Sequence, residues 1–213
     1  MINLPILIIL LTAITSFIAL NNHSFMERGK FNVGAILQGK QFDRLLTSGF
    51  LHADFMHLFF NMFTLYFFSD IIIYYLGKVD YLIIYIGAIL AGNLISLWMY
   101  RRNYYYSAIG ASGGVSGILF ASIALNPFSQ IMIFPIPIPI QGWIFGILYL
   151  AYSVYGMKSQ LGNIGHAAHL GGAAFGLILA IILEPSILDK NGLYIGIMVL
   201  PLIALAYFAY KEK

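Results

Sequence analysis

The chain alternates long apolar runs with short polar, glycine- or proline-bearing breaks. A helix needs about 20 apolar residues to cross a bilayer's hydrocarbon core, and the runs resolve into seven spans. Span one covers roughly 4–20. A long connection follows, 21–54, which holds Glu27, Arg28, Lys30, Lys40, Asp43 and Arg44 among Phe31, Val33, Ile36 and Leu37. Apolar residues interleaved with charges in this way predict a structured loop. Span two covers about 55–76 and span three about 81–100. Arg101 and Arg102, with Tyr104, Tyr105 and Tyr106, mark an interface. Span four runs from Ser112 to about 126. Pro135, Pro137 and Pro139 break the next connection, then span five covers about 140–155. Span six covers roughly 164–183. Span seven covers 193–210, with Pro201 predicting a kink. No internal repeat and no second domain is visible. The expected fold is an all-α, polytopic membrane protein of one domain over 1–213, with a six-helix core to about 184.

Composition agrees. Hydrophobic residues make up 61% and charged residues 9%, and mean hydropathy is +0.87; a soluble domain carries roughly 25% charged residues. The lipid bilayer is therefore the main partner. The chain has no cysteine, which excludes disulfides and thiolate metal sites. A net charge of +3, scattered along the chain, gives no reason to expect nucleic acid. The first span lacks a basic start and a small-residue cleavage site, so it reads as a span and not as a cleaved signal.

Candidate chemistry begins at Gly110-Ala111-Ser112-Gly113-Gly114-Val115-Ser116-Gly117. Four glycines in eight residues suit a sharp turn and close backbone approach, not a helix interior. Ser112 thus falls at the start of span four, among N–H groups that no intrahelical carbonyl satisfies. Those donors and the helix dipole favour a developing negative charge, which a serine nucleophile's attack creates. From 112 to 126 the span is only about 22 Å long, at ~1.5 Å per residue. That is short of a hydrocarbon core about 30 Å thick. Ser112 is therefore expected below the membrane surface, where irregular backbone survives only against protein or water.

Spans two, four and six run in one direction, and each puts polar residues near its start. Span two carries His57 and Asn61, four apart on one face. Span six carries His169, with Gly172 and Gly176 on the same face. Intramembrane histidine and asparagine are costly and mark functional sites. Ser112, His169, His57 and Asn61 are therefore expected at one depth on one side. His169 is the candidate base for Ser112. His57 and Asn61 are candidate oxyanion donors. Gly110, Gly113, Gly172 and Gly176 are expected to let helices pack closely. His166, one turn nearer the surface, is read as a wetted side chain, and His52 and Asp54 as caps or solvated groups. Asp70 lies about 20 Å deeper than His57 and cannot orient His169. The expected machinery is a Ser–His dyad with no metal and no cofactor. A haem or metal protein ligated by His57, His166 and His169 is the alternative, but it leaves the glycine–serine turn without a purpose. A third class is a non-catalytic helix-binding protein, which would be expected to lack Ser112 or His169.

The sequence resembles the rhomboid intramembrane serine proteases. The likeness rests on Arg44-Leu45-Leu46-Thr47 with Phe50-Leu51-His52, on His57-Leu58-Phe59-Phe60-Asn61-Met62, on Gly110-Ala111-Ser112-Gly113, on Ala168-His169-Leu170-Gly171-Gly172, and on Gly176. It implies an endopeptidase acting on transmembrane protein substrates, with Ser112 as nucleophile, His169 as base, and His57, Asn61 and the Ser112 N–H as oxyanion donors. It implies a bacterial cytoplasmic membrane location with the site opening outward, and span seven as an added C-terminal helix. Asp43-Arg44 stands where the family has Trp-Arg. Ile73 stands near the end of span two where a glutamate is frequent, and Ser116 where an aromatic often follows the nucleophile by four residues. By contrast, the bias of Lys and Arg in the loops favours the reverse orientation.

Overall fold

In the computed structural model, which describes residues 3–133, 136–159 and 165–211, the apolar runs are helices. α1 (Leu4–Asn21) opens at Asn3, whose side chain accepts the Ile6 N–H at 3.1 Å. The 21–54 connection folds into short pieces: α2 (His23–Gly29), β1 (Phe31–Asn32), α3 (Val33–Leu37), α4 (Arg44–Thr47) and a 3₁₀ turn at Ser48–Phe50. It is structured, as its pattern predicts. Asn22 and Asn32 cap α2 and α3 with their side-chain carbonyls.

Spans two and three form α5 (Phe55–Tyr100), 46 residues broken at Gly77 (φ 88°, ψ 175°). A straight helix would hold Ser69 and Tyr81 about 18 Å apart. The Ser69 hydroxyl instead donates to the Tyr81 hydroxyl at 3.0 Å, so limbs 55–76 and 78–100 fold back on each other. Only a residue free to take positive φ makes that turn cheaply, which is why glycine stands there.

The remaining helices are α6 (Ser112–Leu125), α7 (Gly142–Lys158), α8 (His166–Leu183) and α9 (Ile187–Lys211). The expected start of span six, 164, lies outside the described residues. Span seven begins earlier than its pattern suggests and holds Pro201 within the helix. By length and apolarity α1, α5 and α8 can each cross a membrane, and α6, at 14 residues, is shorter. The protein is a polytopic all-α membrane protein. Two small ribbons interrupt the helices: β1 pairs antiparallel with β2 (Ser107–Ala108), and β3 (Gln130–Ile133) with β4 (Ile136–Gln141). The second ribbon occupies the connection that its prolines were expected only to break. Proline excludes helix interior but is tolerated in an edge strand.

The core is built around α6. Every residue of α6 after Ser112 is buried, flanked by α5 and α8. Small residues bring the three helices together. A Cβ on Gly172 would collide with the Gly113 carbonyl, and one on Gly176 with the Gly117 carbonyl. A Cβ on Gly92 would collide with the Ala168 carbonyl. At its far end α6 leaves carbonyls with no partner in the helix. Asn191 of α9 donates to two of them, Ala124 at 2.9 Å and Leu125 at 3.3 Å. Met198 of α9 packs against Gly146 of α7, and Tyr194 contacts Phe128 and Trp143.

Candidate active site

Ser112 is the first residue of α6, after Ala111, whose side chain offers no cap. The first helical bond visible there is Val115 N–H to the Ala111 carbonyl, 2.9 Å. The N–H groups of Ser112, Gly113 and Gly114 therefore have no acceptor in the helix. Ser112 is half-buried while the rest of α6 is fully buried. His169, in the first turn of α8, lies with Nε2 2.7 Å from the Ser112 hydroxyl oxygen. That is ordinary hydrogen-bond length for a hydroxyl and an imidazole. The Gly172–Gly113 and Gly176–Gly117 contacts set this distance, because they hold α8 against α6.

His57 and Asn61 sit one turn apart in the first half of α5. Asp54 caps this helix, accepting the His57 N–H at 2.8 Å, as one of its two expected roles requires. Gly110 (φ 135°) lies in the loop before α6, so it is not a helix-packing residue. A Cβ there would lie 2.7 Å from His57 Cε1 and 2.9 Å from its Nε2, with the Ser112 hydroxyl 3.6 Å away. Gly110 therefore leaves room for the His57 ring beside the serine. Gly113 is likewise no tight contact on its own account; its carbonyl is what Gly172 approaches. Asn61 is buried, and its amide donates to the His57 carbonyl at 2.8 Å within its own helix. One amide hydrogen is thus engaged and the second is not used by that bond. Ser112, His169 and His57 thus lie together near the starts of α6, α8 and α5, with Asn61 one turn beyond His57 on α5.

His52 departs from its expected role as a solvated cap. It is fully buried, and the Ala111 N–H donates to its Nε2 at 3.2 Å. Nε2 is therefore the unprotonated nitrogen, and Nδ1 carries the hydrogen. Nδ1 lies 2.9 Å from the Ser16 hydroxyl, which in turn donates to the Phe50 carbonyl at 2.9 Å. This chain ties the residue before Ser112 through His52 to α1. The signal in the sequence is Ser16, a polar residue inside an apolar span. His166 also departs from expectation. It is 3% exposed, its ring seated in the notch left by Gly156 of α7.

The loop around the site is anchored in several places. The Gly110 N–H donates to the Ser48 carbonyl at 3.0 Å, and Asn93 of α5 donates to the Leu45 carbonyl and the Ser48 hydroxyl. Arg44 is buried and donates to Gln41, to the Glu27 carbonyl and to the Lys30 carbonyl, all within 2.8 Å. Asp43, in the place of the family's tryptophan, pairs with Arg28 at 2.7 Å. The hydrogen bond from Arg28 holds the Asp43 carboxyl below its ordinary value, and that from Lys30 does the same for Glu27. Tyr106 stacks on Tyr100 at 3.8 Å and edges onto Phe31. It belongs to a small core beneath the loop, while Tyr105 is 93% exposed. Among the described residues no cluster of three or more His, Cys, Asp or Glu could hold a metal ion.

Residues 39–186 match the Rhomboid domain family. This chain belongs to the rhomboid family. It is 31% identical over 137 residues to the mitochondrial rhomboid protein 1 of Saccharomyces cerevisiae, covering 63% of this chain and 40% of that one. It is 31% identical to the human mitochondrial presenilin-associated rhomboid-like protein, over 62% and 36% of the two chains. It is 30% identical to the Bacillus subtilis protein YdcA, a rhomboid by name, over 64% and 65%. This rhomboid thus matches about two-fifths of the length of its mitochondrial relatives.

Proposed function

We propose that this rhomboid is an intramembrane serine endopeptidase that cleaves transmembrane protein substrates with a Ser112–His169 dyad. The observation that carries the reading is the 2.7 Å contact between His169 Nε2 and the Ser112 hydroxyl at a helix start with free N–H groups. In the first half-reaction His169 takes the hydroxyl proton on Nε2 while the Ser112 oxygen bonds to the scissile carbonyl carbon. The carbonyl oxygen gains the negative charge, facing the Ser112 N–H, the His57 ring and the free hydrogen of Asn61. When the intermediate collapses, the C–N bond breaks and the leaving amine takes the proton from His169. Water then repeats the sequence on the ester, releasing the acid and restoring Ser112. No step needs a metal or a cofactor. The partial exposure of Ser112, His57 and His169, against the buried remainder of α6, supports access of water to the dyad. The location we propose is a bacterial cytoplasmic membrane, as the Bacillus subtilis relative supports and the mitochondrial relatives do not, and the organisation we propose is one domain over 1–213, with the last helix added to a core ending near 184.

Labelling with a fluorophosphonate probe tests this reading, alongside cleavage of a reconstituted transmembrane substrate. Wild-type protein should be labelled and should cleave. Ser112→Ala should do neither, while unfolding at the same temperature. Cleavage that survives Ser112→Ala would end the serine-protease reading.

A further inference from the structure

A serine–histidine pair works only if the ring is held in one orientation, and in a triad a carboxylate does this from the far ring nitrogen. Among the described residues, the one side-chain hydrogen bond of His169 is the one to Ser112. Two ring contacts flank it instead. Tyr149 of α7 lies face to face with it at 6.0 Å and 24°, and His166 meets it edge-on at 6.2 Å and 74°. Tyr149 is itself fixed. Its hydroxyl lies 2.8 Å from that of Ser116, one turn below Ser112 on α6. Its ring packs between Phe145 and Phe120, at 5.8 and 5.7 Å. Ser116 is 2% exposed, so this hydroxyl pair is shut away from competing water. The nucleophile's own helix thus grips, one turn on, the aromatic ring that faces the nucleophile's base.

We infer that Tyr149 and Ser116 are positioning residues, which hold the His169 ring in line with Ser112 from two different helices in place of an orienting carboxylate. The ring supplies a flat wall that forbids the imidazole from tilting away. The hydroxyl pair sets how far along α6 that wall stands. A ring face also favours the positive charge that His169 acquires when it takes the serine proton. The effect belongs to proton transfer and not to substrate capture, so it should appear in turnover and in probe labelling, with KM unchanged. α7 then becomes part of the catalytic geometry, although it carries no reacting atom.

This inference rests on the dyad reading above, and one experiment separates the two. The rate of fluorophosphonate labelling and the kcat and KM for a reconstituted substrate are measured for Tyr149→Leu, Tyr149→Phe, Ser116→Ala and the Tyr149→Phe/Ser116→Ala double variant. Thermal unfolding is followed in each. A small misplacement of a reacting group can cost about 10²-fold. Tyr149→Leu should therefore slow labelling and kcat about 10- to 100-fold at constant KM. Tyr149→Phe keeps the wall and should restore most of that loss. Ser116→Ala should match Tyr149→Phe, and the double variant should be no worse than either, because both remove the same bond. Should Tyr149→Leu fail to fold, this non-additivity decides alone: fully additive losses overturn the inference. So does a folded Tyr149→Leu protein that labels within about twofold of wild type, or a loss that appears only in KM. Failure of these variants with Ser112→Ala still inactive sinks the positioning role alone; an active Ser112→Ala sinks the dyad itself.

Discussion

At the scale of single residues, the proposed reaction gives each polar group near Ser112 a separable duty. Removing one oxyanion donor typically costs about 10²- to 10³-fold in turnover. Asn61→Ala and His57→Ala should each impair cleavage by that order and leave labelling detectable on a folded protein. If both cleave at the wild-type rate, these side chains are structural. His52 touches no reacting atom in this scheme, yet it receives the Ala111 N–H. Its replacement by alanine leaves a buried donor unpaired, which costs about 1–3 kcal/mol. His52→Ala should lower the unfolding temperature and turnover together, and a variant unchanged in both would refute the tie. Ser112 and His169 were legible because glycine spacing and span parity mark them without any knowledge of contacts. His52 was not, because its partners Ser16 and Ala111 are far away in sequence. Tyr149 was invisible for the same reason: nothing local distinguishes it from the other aromatics of an apolar helix.

At the scale of elements, helix spacing decides whether the proposed dyad can form. Gly172 and Gly176 of α8 face backbone carbonyls of α6, which cannot move aside as a side chain can. Gly176→Ala should therefore force the helices apart, destabilising by about 1–3 kcal/mol as overpacking does, and should abolish most cleavage. Gly192→Ala in α9 meets nothing within 4 Å. It should gain up to about 1 kcal/mol through helix propensity. Unfolding midpoints of the two variants, measured in the same detergent, check both; equal midpoints would refute the packing account. The spans were legible from hydropathy because lipid demands long apolar helices. The break between spans two and three was legible too, since Gly77-Lys78 interrupts the run. The β3–β4 ribbon was not. Alternating isoleucine and proline at 136–140 reads as an interruption, and strand pairing depends on a partner that the local pattern does not name.

At the scale of the whole molecule, two signals oppose each other over which side of the membrane the helix starts face. The family likeness implies an N-terminus in the cytoplasm and a site opening outside. The basic residues oppose it: Arg28, Lys30, Lys40, Arg44, Arg101, Arg102, Lys158, Lys211 and Lys213 fall on the side of the site, while Lys78 and Lys190 fall on the other. Three of the first group are spoken for in the structure. Arg28 pairs with Asp43, Lys30 with Glu27, and Arg44 is buried among carbonyls. Such charges are poor topological signals, so the outward-facing site is the orientation we propose. Single cysteines at positions 158 and 190 of this cysteine-free chain, treated in intact cells with an impermeant thiol reagent, give the answer. Labelling is expected at 158 and not at 190; the reverse would overturn the orientation.

The bond from Asn191 to the end of α6 has a consequence for how the protein is made. A buried carbonyl left unpaired costs about 1–3 kcal/mol, and the Ala124 and Leu125 carbonyls wait for a residue 67 and 66 positions further along the chain. Synthesis proceeds from the N-terminus, so the helix bearing Ser112 enters the bilayer with its lower end unfinished. The seventh helix completes it. On the proposed reading, a helix made after α6 closes the helix that bears the nucleophile, and cleavage is expected only once Asn191 has emerged and packed.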